Sequence, residues 1–531
     1  MNIPLTPLRF QRRAATLYRK KVGVVCGGER FTYGQFNERV NRLSRALQSL
    51  GIRKGDRVAF LSYNCHRLLE AYYGVVQIGA VLMPLNIRLS PGEFTYILND
   101  AEASILFLDP DFIPVVDAIR SNLKTVSTFI LLASAERPGW AIPRTYDDLL
   151  AEQSGEDVDT SGIQEDDLAE LFYTSGTTGD PKGVMLTHRN LYLHAMSVLA
   201  AHHVTENDVQ LHTIPLFHVN GWGTPQTLTC VGGTHVMLRR FDPTTVLELI
   251  QTERVTIFSL VPTMATALVN HPDIANYDVS SVRLILIGGA ASPPELIRAV
   301  EEKFPSAQCY SGYGLSETSP VLTVSFLKHE HQSLTGDERY RRQAMTGFAI
   351  PGVEVRVVND RGEDVKPDGK EIGEVIARSD GIMLGYWRRP EETAAIIRDG
   401  WLYTGDMATI DEDGYILIVD RKKDIIVSGG ENIASIEIEK VLASHPAVYE
   451  CAVIAVPDDK WGEVPKGLVV LKPGMTATEQ ELLEFCKSKL AGFKVPKSID
   501  FYESLPKGGT GKILKRELRE KYWKGYEKRV H

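Results

Sequence analysis

Residues 171–184 read Leu-Phe-Tyr-Thr-Ser-Gly-Thr-Thr-Gly-Asp-Pro-Lys-Gly-Val. Four hydroxyl residues, Thr174, Ser175, Thr177 and Thr178, surround Gly176 directly after an apolar run. Glycine lets a backbone curl close to a ligand and aim N–H groups at it; hydroxyls add donors and Lys182 adds positive charge. The set suits an oligophosphate. It departs from the GxxxxGK[ST] phosphate loop, because Gly183 rather than Ser or Thr follows Lys182. From these residues alone, a polar turn reads equally well.

Such a loop must be held by regular elements. Phe36, Val40, Leu43, Leu47 and Leu50 recur at helical spacing, Thr32 and Gln35 have capping-box spacing, and Gly51 ends the run. A short apolar strand is expected over 57–61, a helix over 68–78 and a strand over 80–85. The pattern returns with a helix over 245–251, a strand over 256–260, a helix over 264–270 and a strand over 283–287. Helices alternating with short apolar strands predict parallel sheets covered on both faces. After about residue 350 the chain turns β-rich, with strands expected over 353–358 and 374–378. Beyond Asp420 it reads strand, helix (436–444), strand (452–456), strand (467–471), helix (479–490). The expected fold is therefore a large α/β N-terminal domain, 1–419, with helix-covered sheets and a small β-rich subdomain. A small α+β C-terminal domain, 420–531, follows it.

Composition narrows the class. The 531 residues carry 59 basic and 68 acidic side chains, a formal charge of −9, with 43% hydrophobic and 24% charged residues. That length exceeds one hydrophobic core, and the acidic excess argues against nucleic acid as a partner. Cys26, Cys65, Cys230, Cys309, Cys451 and Cys486 form no CxxC pair, so free thiols in a reducing, cytoplasmic compartment are expected. The N-terminus lacks the apolar core of a secretory signal, and residues 71–87 read as a buried helix and strand rather than a membrane span. Peripheral membrane contact and a homodimer stay open.

With the segments that follow it, the 171–184 stretch resembles the phosphate-loop signature of the adenylate-forming superfamily: acyl-CoA synthetases, aryl-CoA ligases, luciferases and amino-acid adenylation domains. The likeness runs in order across nearly the whole chain. It implies that a carboxylate attacks the α-phosphate of Mg·ATP, giving acyl-adenylate and pyrophosphate, and that a thiol, that of CoA, then displaces AMP. By resemblance Thr174, Ser175, Gly176, Thr177, Thr178 and Lys182 hold ATP. Tyr313-Gly-Leu-Ser-Glu-Thr318 resembles the second signature, with Gly312, Tyr313, Ser316 and Thr318 at the nucleotide and Glu317, aided by Thr174, at Mg²⁺. Gly288-Gly-Ala-Ala291 is where adenine (Ala290) and acyl group (Gly288, Gly289) approach the backbone. Asp406 and Arg421 are the expected ribose or phosphate contacts, and Asp420 is the expected hinge of a mobile C-terminal domain. Gly429 and Gly430 resemble the tunnel that passes the CoA arm. Lys512, in Pro506-Lys-Gly-Gly-Thr-Gly-Lys512, resembles the catalytic lysine. A mobile cation there would counter the repulsion between an anionic acid and a triphosphate, a service commonly worth about a hundred- to thousandfold in rate.

Pro215-Leu-Phe-His-Val-Asn-Gly-Trp222 resembles the acyl-pocket signature. His218 is expected beside the carboxylate, with Val219, Trp222, Val261 and Gly314 at the pocket and Leu260 and Met264 nearby. Amino-acid-activating relatives usually carry an Asp here, and this chain has His218. The apolar surroundings suit a fatty or aromatic tail. The run from Gly312 to Lys328 is more similar to bacterial fatty-acid–CoA ligases than to plant hydroxycinnamate ligases. A medium- or long-chain fatty acid is therefore expected, with aryl or hydroxycinnamic acids as the alternative. A free-standing loader of carrier proteins, a luciferase-like oxygenase and a non-enzymatic AMP or fatty-acid sensor are the rival classes.

Overall fold

A computed structural model describes residues 3–174, 180–429, 431–458, 460–507 and 513–523, with the backbone only at 431 and 432. Six expected site residues, Ser175, Gly176, Thr177, Thr178, Gly430 and Lys512, lie outside the described residues. The chain divides into two compact units, one of residues 1–355 with 377–402 and one of 356–376 with 403–531. The chain passes between the units at 355/356, 376/377 and 402/403, each time inside a strand.

Two twisted sheets form the first unit. In the seven-stranded sheet the strands Val81–Pro84, Arg57–Leu61, Ala103–Leu108 and Thr128–Leu131 run parallel, and Leu168–Thr174 lies parallel beside Val81–Pro84. Leu168–Thr174 also pairs antiparallel with Lys182–Thr187, so that Thr174 faces Lys182 across the mouth of the Thr/Gly-rich segment. In the nine-stranded sheet, Val22–Cys26, Thr234–Met237, Val209–His212, Ile257–Leu260, Leu284–Ile287 and Gln308–Gly314 form the parallel centre. The expected helix near residue 36 spans Tyr33–Ser49 and is fixed by its capping box: Gln35 N donates to Thr32 Oγ1 at 3.2 Å and Thr32 N to Gln35 Oε1 at 2.8 Å. Its apolar face (Phe36, Val40, Leu43, Leu47) is buried against Leu68, Tyr72 and Tyr73 of the His66–Gly74 helix.

The Val219–Val231 helix is not a regular one. Val219, Asn220, Gly221, Trp222 and Gly223 all have positive φ, 38 to 81°, a left-handed turn set before the right-handed helix begins. Three of the five are not glycine, so the turn carries strain that its surroundings must hold.

In the second unit the strands Val448–Asp458 and Gly462–Leu471 pair antiparallel, with Ser498–Phe501 added in parallel, and the helices Ser435–Ala443 and Glu479–Lys487 pack on them. A chain of charged groups runs through it. Asp420, 1% exposed, accepts from Arg421 N at 2.7 Å and from Ser435 N; Lys515 Nζ donates to Ser435 Oγ at 2.6 Å and pairs with Glu439 at 2.7 Å. The fold class is the one expected.

Candidate active site

In the first unit two of the expected site residues, Lys182 and Glu317, meet at a side chain that the sequence did not single out. Tyr386, buried, donates its hydroxyl to Glu317 Oε1 at 2.6 Å. The ammonium of Lys182 stands 5.2 Å from the centre of the same ring and pairs with Glu392. Burial, reinforced by the Glu317 carboxylate, holds the Tyr386 phenol well above its usual pKa, so it stays a donor. Two expected residues 135 positions apart, Lys182 and Glu317, are thus brought together by Tyr386 on the short strand Gly385–Tyr386, which pairs with Lys182–Thr187. The signal available for Tyr386 was its place in an aromatic Tyr-Trp pair after a glycine. Nothing marked Glu392 among the surface acids.

Glu317 lies in a single 3-10 turn, Ser316–Thr318, after the strand Gln308–Gly314. Thr318 holds that turn: Leu315 N donates to its hydroxyl at 3.0 Å, and the hydroxyl donates back to Leu315 O at 2.9 Å. Gly314 is required by space, since a Cβ there would lie 1.6 Å from Pro320 O. Gly312 and Tyr313 pair with Val324 and Thr323 of the neighbouring strand. Ala290 follows the Leu284–Ile287 strand and is exposed.

The expected acyl-pocket residues also converge. A Cβ on Gly288 would stand 3.1 Å from the Trp222 indole and 3.2 Å from Gly312 O, and one on Gly289 3.4 Å from both Trp222 and Val261. Trp222 therefore lies against the glycine pair, tightly at Gly288 and in ordinary contact distance at Gly289. His218 precedes the left-handed turn and is half-buried; Val219 and Leu260 are buried, and Met264 packs against the same cluster as Trp222.

Asp406 and Arg421 belong to the second unit, where they are cross-strand neighbours. Arg421 Nε contacts Asp406 Oδ1 at 3.0 Å, and Asp406 is 3% exposed. The pair sits on a firm base: Thr404 Oγ1 donates to Val375 O at 2.7 Å, and Glu374 takes Gly405 N at 3.1 Å and Lys422 Nζ at 3.0 Å. Lys423, the next residue along, has its pKa lowered to about 8, first by burial and then by neighbouring Arg421 and Arg519 against the pull of Asp424. Gly429 has φ +59°, and its N–H donates to Trp461 O at 2.8 Å, so its backbone is already fixed.

As for a metal, no group of three or more His, Cys, Asp or Glu forms among the described residues. One half-buried carboxylate, Glu317, with its second oxygen clear of the Tyr386 bond, fits a Mg²⁺ that arrives on ATP, because such an ion asks the protein for one or two carboxylates and takes phosphate oxygens for the rest. No described helix is long and apolar enough to cross a membrane.

The chain is similar to known proteins over nearly its whole length. The AMP-binding enzyme family model matches residues 10–387, and that of the AMP-binding enzyme C-terminal domain matches 437–512. A long-chain-fatty-acid–CoA ligase of Thermus thermophilus is 41% identical over 97% of this chain and 95% of its own. A feruloyl-CoA synthase of an Amycolatopsis species is 38% identical over 93% and 95%. The crystal structure of the anthranilate CoA ligase AuaEII with anthranoyl-AMP superposes with a TM-score of 0.86 at 28% identity, covering 98% of both chains. The chain belongs to the AMP-binding enzyme family and is an adenylate-forming ligase that joins a carboxylic acid to CoA at the expense of ATP.

Proposed function

We propose that the acid is a medium- or long-chain fatty acid and that the residues gathered above divide the work of activating it. The observation that carries the division is the Lys182–Tyr386–Glu317 cluster at the mouth of the 174/182 hairpin. Thr174, the adjoining 175–178 segment and Lys182 bind the phosphates. Lys182 must exchange Glu392 for a phosphate oxygen as ATP enters, trading one ion pair for another. Glu317 and Thr174 would hold Mg²⁺, which neutralises phosphate charge when bound. Ala290, Gly312, Tyr313, Ser316 and Thr318 shape the adenine side, Thr318 by holding the turn. Asp406 accepts from the ribose hydroxyls, with the Arg421 guanidinium paired to it. His218 orients the attacking carboxylate. Val219, Trp222, Val261 and the Gly288–Gly289 pair, with Gly314 behind, enclose the acyl group in mostly apolar walls, which is the support for a fatty acid.

The second half-reaction needs space for a thiol. We assign Lys512 to adenylation alone, Asp420 to the pivot that withdraws it, and Gly429 with Gly430 to the passage of the CoA arm, an instance of gating by domain movement. The test supplies preformed acyl-adenylate to Lys512→Ala: thioester formation survives while adenylate formation falls about a hundredfold or more. Equal loss of both steps would refute the assignment. Acid identity is read by thioester formation across straight-chain acids from acetate upward, with benzoate and coumarate. The indole of Trp222 against Gly288 and Gly289 favours a second reading, a planar aryl acid, and a panel in which coumarate outruns every alkanoate would establish it. A cytoplasmic location belongs to the same proposal, supported by six cysteines that are all free thiols. Peripheral membrane contact and a homodimer are checked by vesicle flotation and size-exclusion chromatography.

A further inference from the structure

Glu170 is the one carboxylate at the centre of the seven-stranded sheet's Leu168–Thr174 strand, four residues before Thr174, and it is fully buried. Its sheet neighbours in register, Leu82 and Leu186, are apolar. Gln226, on the Val219–Val231 helix, donates Nε2 to Glu170 Oε1 at 3.0 Å. Glu170 Oε2 is buried and without a partner. So are both side-chain atoms of Asn220, 1% exposed, whose amide acts on the carboxyl without reaching hydrogen-bond geometry. Asn220 lies within the left-handed turn, two residues after His218.

We infer that Glu170 is a positioning residue: as the neutral carboxyl it ties the strained turn behind His218 to the strand that ends at Thr174, and its ionisation releases that turn. The inference rests on the placement of His218 beside the acid proposed above. The three uncommitted atoms can pair in either state, Asn220 Nδ2–H with the carboxylate or Asn220 Oδ1 with the protonated O–H, and burial away from any described cation is what favours the proton. Its O–H then has an acceptor in Asn220 Oδ1, while Oε1 keeps the bond from Gln226, so one side chain holds the turn at Asn220 and the helix beyond it at Gln226. Ionised, it is a buried charge facing only two amides, which is costly enough to draw in water or move the helix.

Among the described residues no cation bears on it to offset this. The titratable groups beside it are Tyr72 and Tyr73, from the His66–Gly74 helix, both kept neutral by burial. Burial is the first cause that pushes Glu170 up to about 8, against the weaker pull of Asn220 and Gln226. The transition therefore falls at the alkaline edge of the working range.

The full chain is assayed by ATP–pyrophosphate exchange, which leaves out the thiol, with the best acid of the panel. A single essential proton lost near pH 8 lowers the wild-type rate about tenfold between pH 7.5 and pH 9. Glu170→Ala should be slow throughout. Glu170→Gln, which restores the bond to the helix and cannot ionise, should rescue the rate at pH 7.5 and hold it within about twofold up to pH 9. An alkaline fall that persists in Glu170→Gln, or a Glu170→Ala enzyme as fast as wild type, overturns the inference. Should no acid support exchange, the reading of the acid fails by itself, and infrared spectroscopy still judges Glu170. A protonated-carboxyl C=O band present at pH 6, lost towards pH 9 and absent from Glu170→Gln supports it. Identical spectra of the two proteins refute it.

Discussion

Tyr386 has two tasks that can be separated. Its hydroxyl fixes one oxygen of Glu317, and its ring face receives the Lys182 ammonium. Tyr386→Phe keeps the ring and removes only the hydroxyl. Because a hydrogen bond to a charged group contributes about 1.5–3 kcal/mol, the KM for MgATP should rise roughly tenfold or more while thermal stability changes little. Steady-state kinetics at fixed acid, with the melting temperature as control, check this. Tyr386 was not legible in the sequence because its function comes from pairing two strands, Gly385–Tyr386 and Lys182–Thr187, that are two hundred residues apart in order. Asp406 and Arg421 were legible singly, but nothing in their spacing said that they would face each other across a hairpin.

The left-handed turn at 219–223 is the element on which the proposed acyl site depends. Gly223 has φ +81°, and a Cβ there would come 2.6 Å from the His194 ring, which is itself held by the N–H of Val321 donating to Nε2 at 3.0 Å. Gly223→Ala combines backbone strain with a clash, and should lower the unfolding free energy by about 2–4 kcal/mol in urea titration. The regular elements were readable in advance because each carries local signals: the capping box of the Tyr33–Ser49 helix, the apolar runs of Arg57–Leu61 and Val353–Val358. The turn was not. Asn220 tolerates positive φ, but Val219 and Trp222 have no preference for it, and the packing around them, including His194 and Gly288, imposes it.

The first unit is also marked by buried neutral imidazoles. Burial, the leading cause in each, lowers His66, His194 and His212 to about 3 and His188 and His202 to about 4. These values lie below that of an unfolded histidine, so the unfolded chain binds more protons as acid is added. The stability they contribute is complete above about pH 6.5 and is lost as pH falls towards 3–4, at about 4 kcal/mol for one imidazole shifted by three units. Melting temperature should therefore drop steeply between pH 6 and pH 4, and calorimetry across that range checks it. Glu170 acts in the opposite sense. Its raised value withdraws stability as pH climbs from the unfolded carboxyl value through about 8, so Glu170→Gln should melt higher than wild type at pH 9 and by a smaller margin at pH 5.

The sharing of strands between the two units has a practical consequence. The chain crosses from one unit to the other inside Val353–Val358, near the middle of Gly373–Ser379 and early in Trp401–Ile410. A fragment started at residue 420 would leave behind the strand that pairs with Ile416–Arg421 and places Asp406 opposite Arg421. It would also cut through the Ile416–Arg421 strand itself, keeping only Asp420 and Arg421 of it. Grafting a C-terminal module from one such ligase onto another, a natural way to mix acyl preference with acceptor preference, therefore has to transplant 356–376 and 403–419 along with it, as a discontinuous insert rather than a tail.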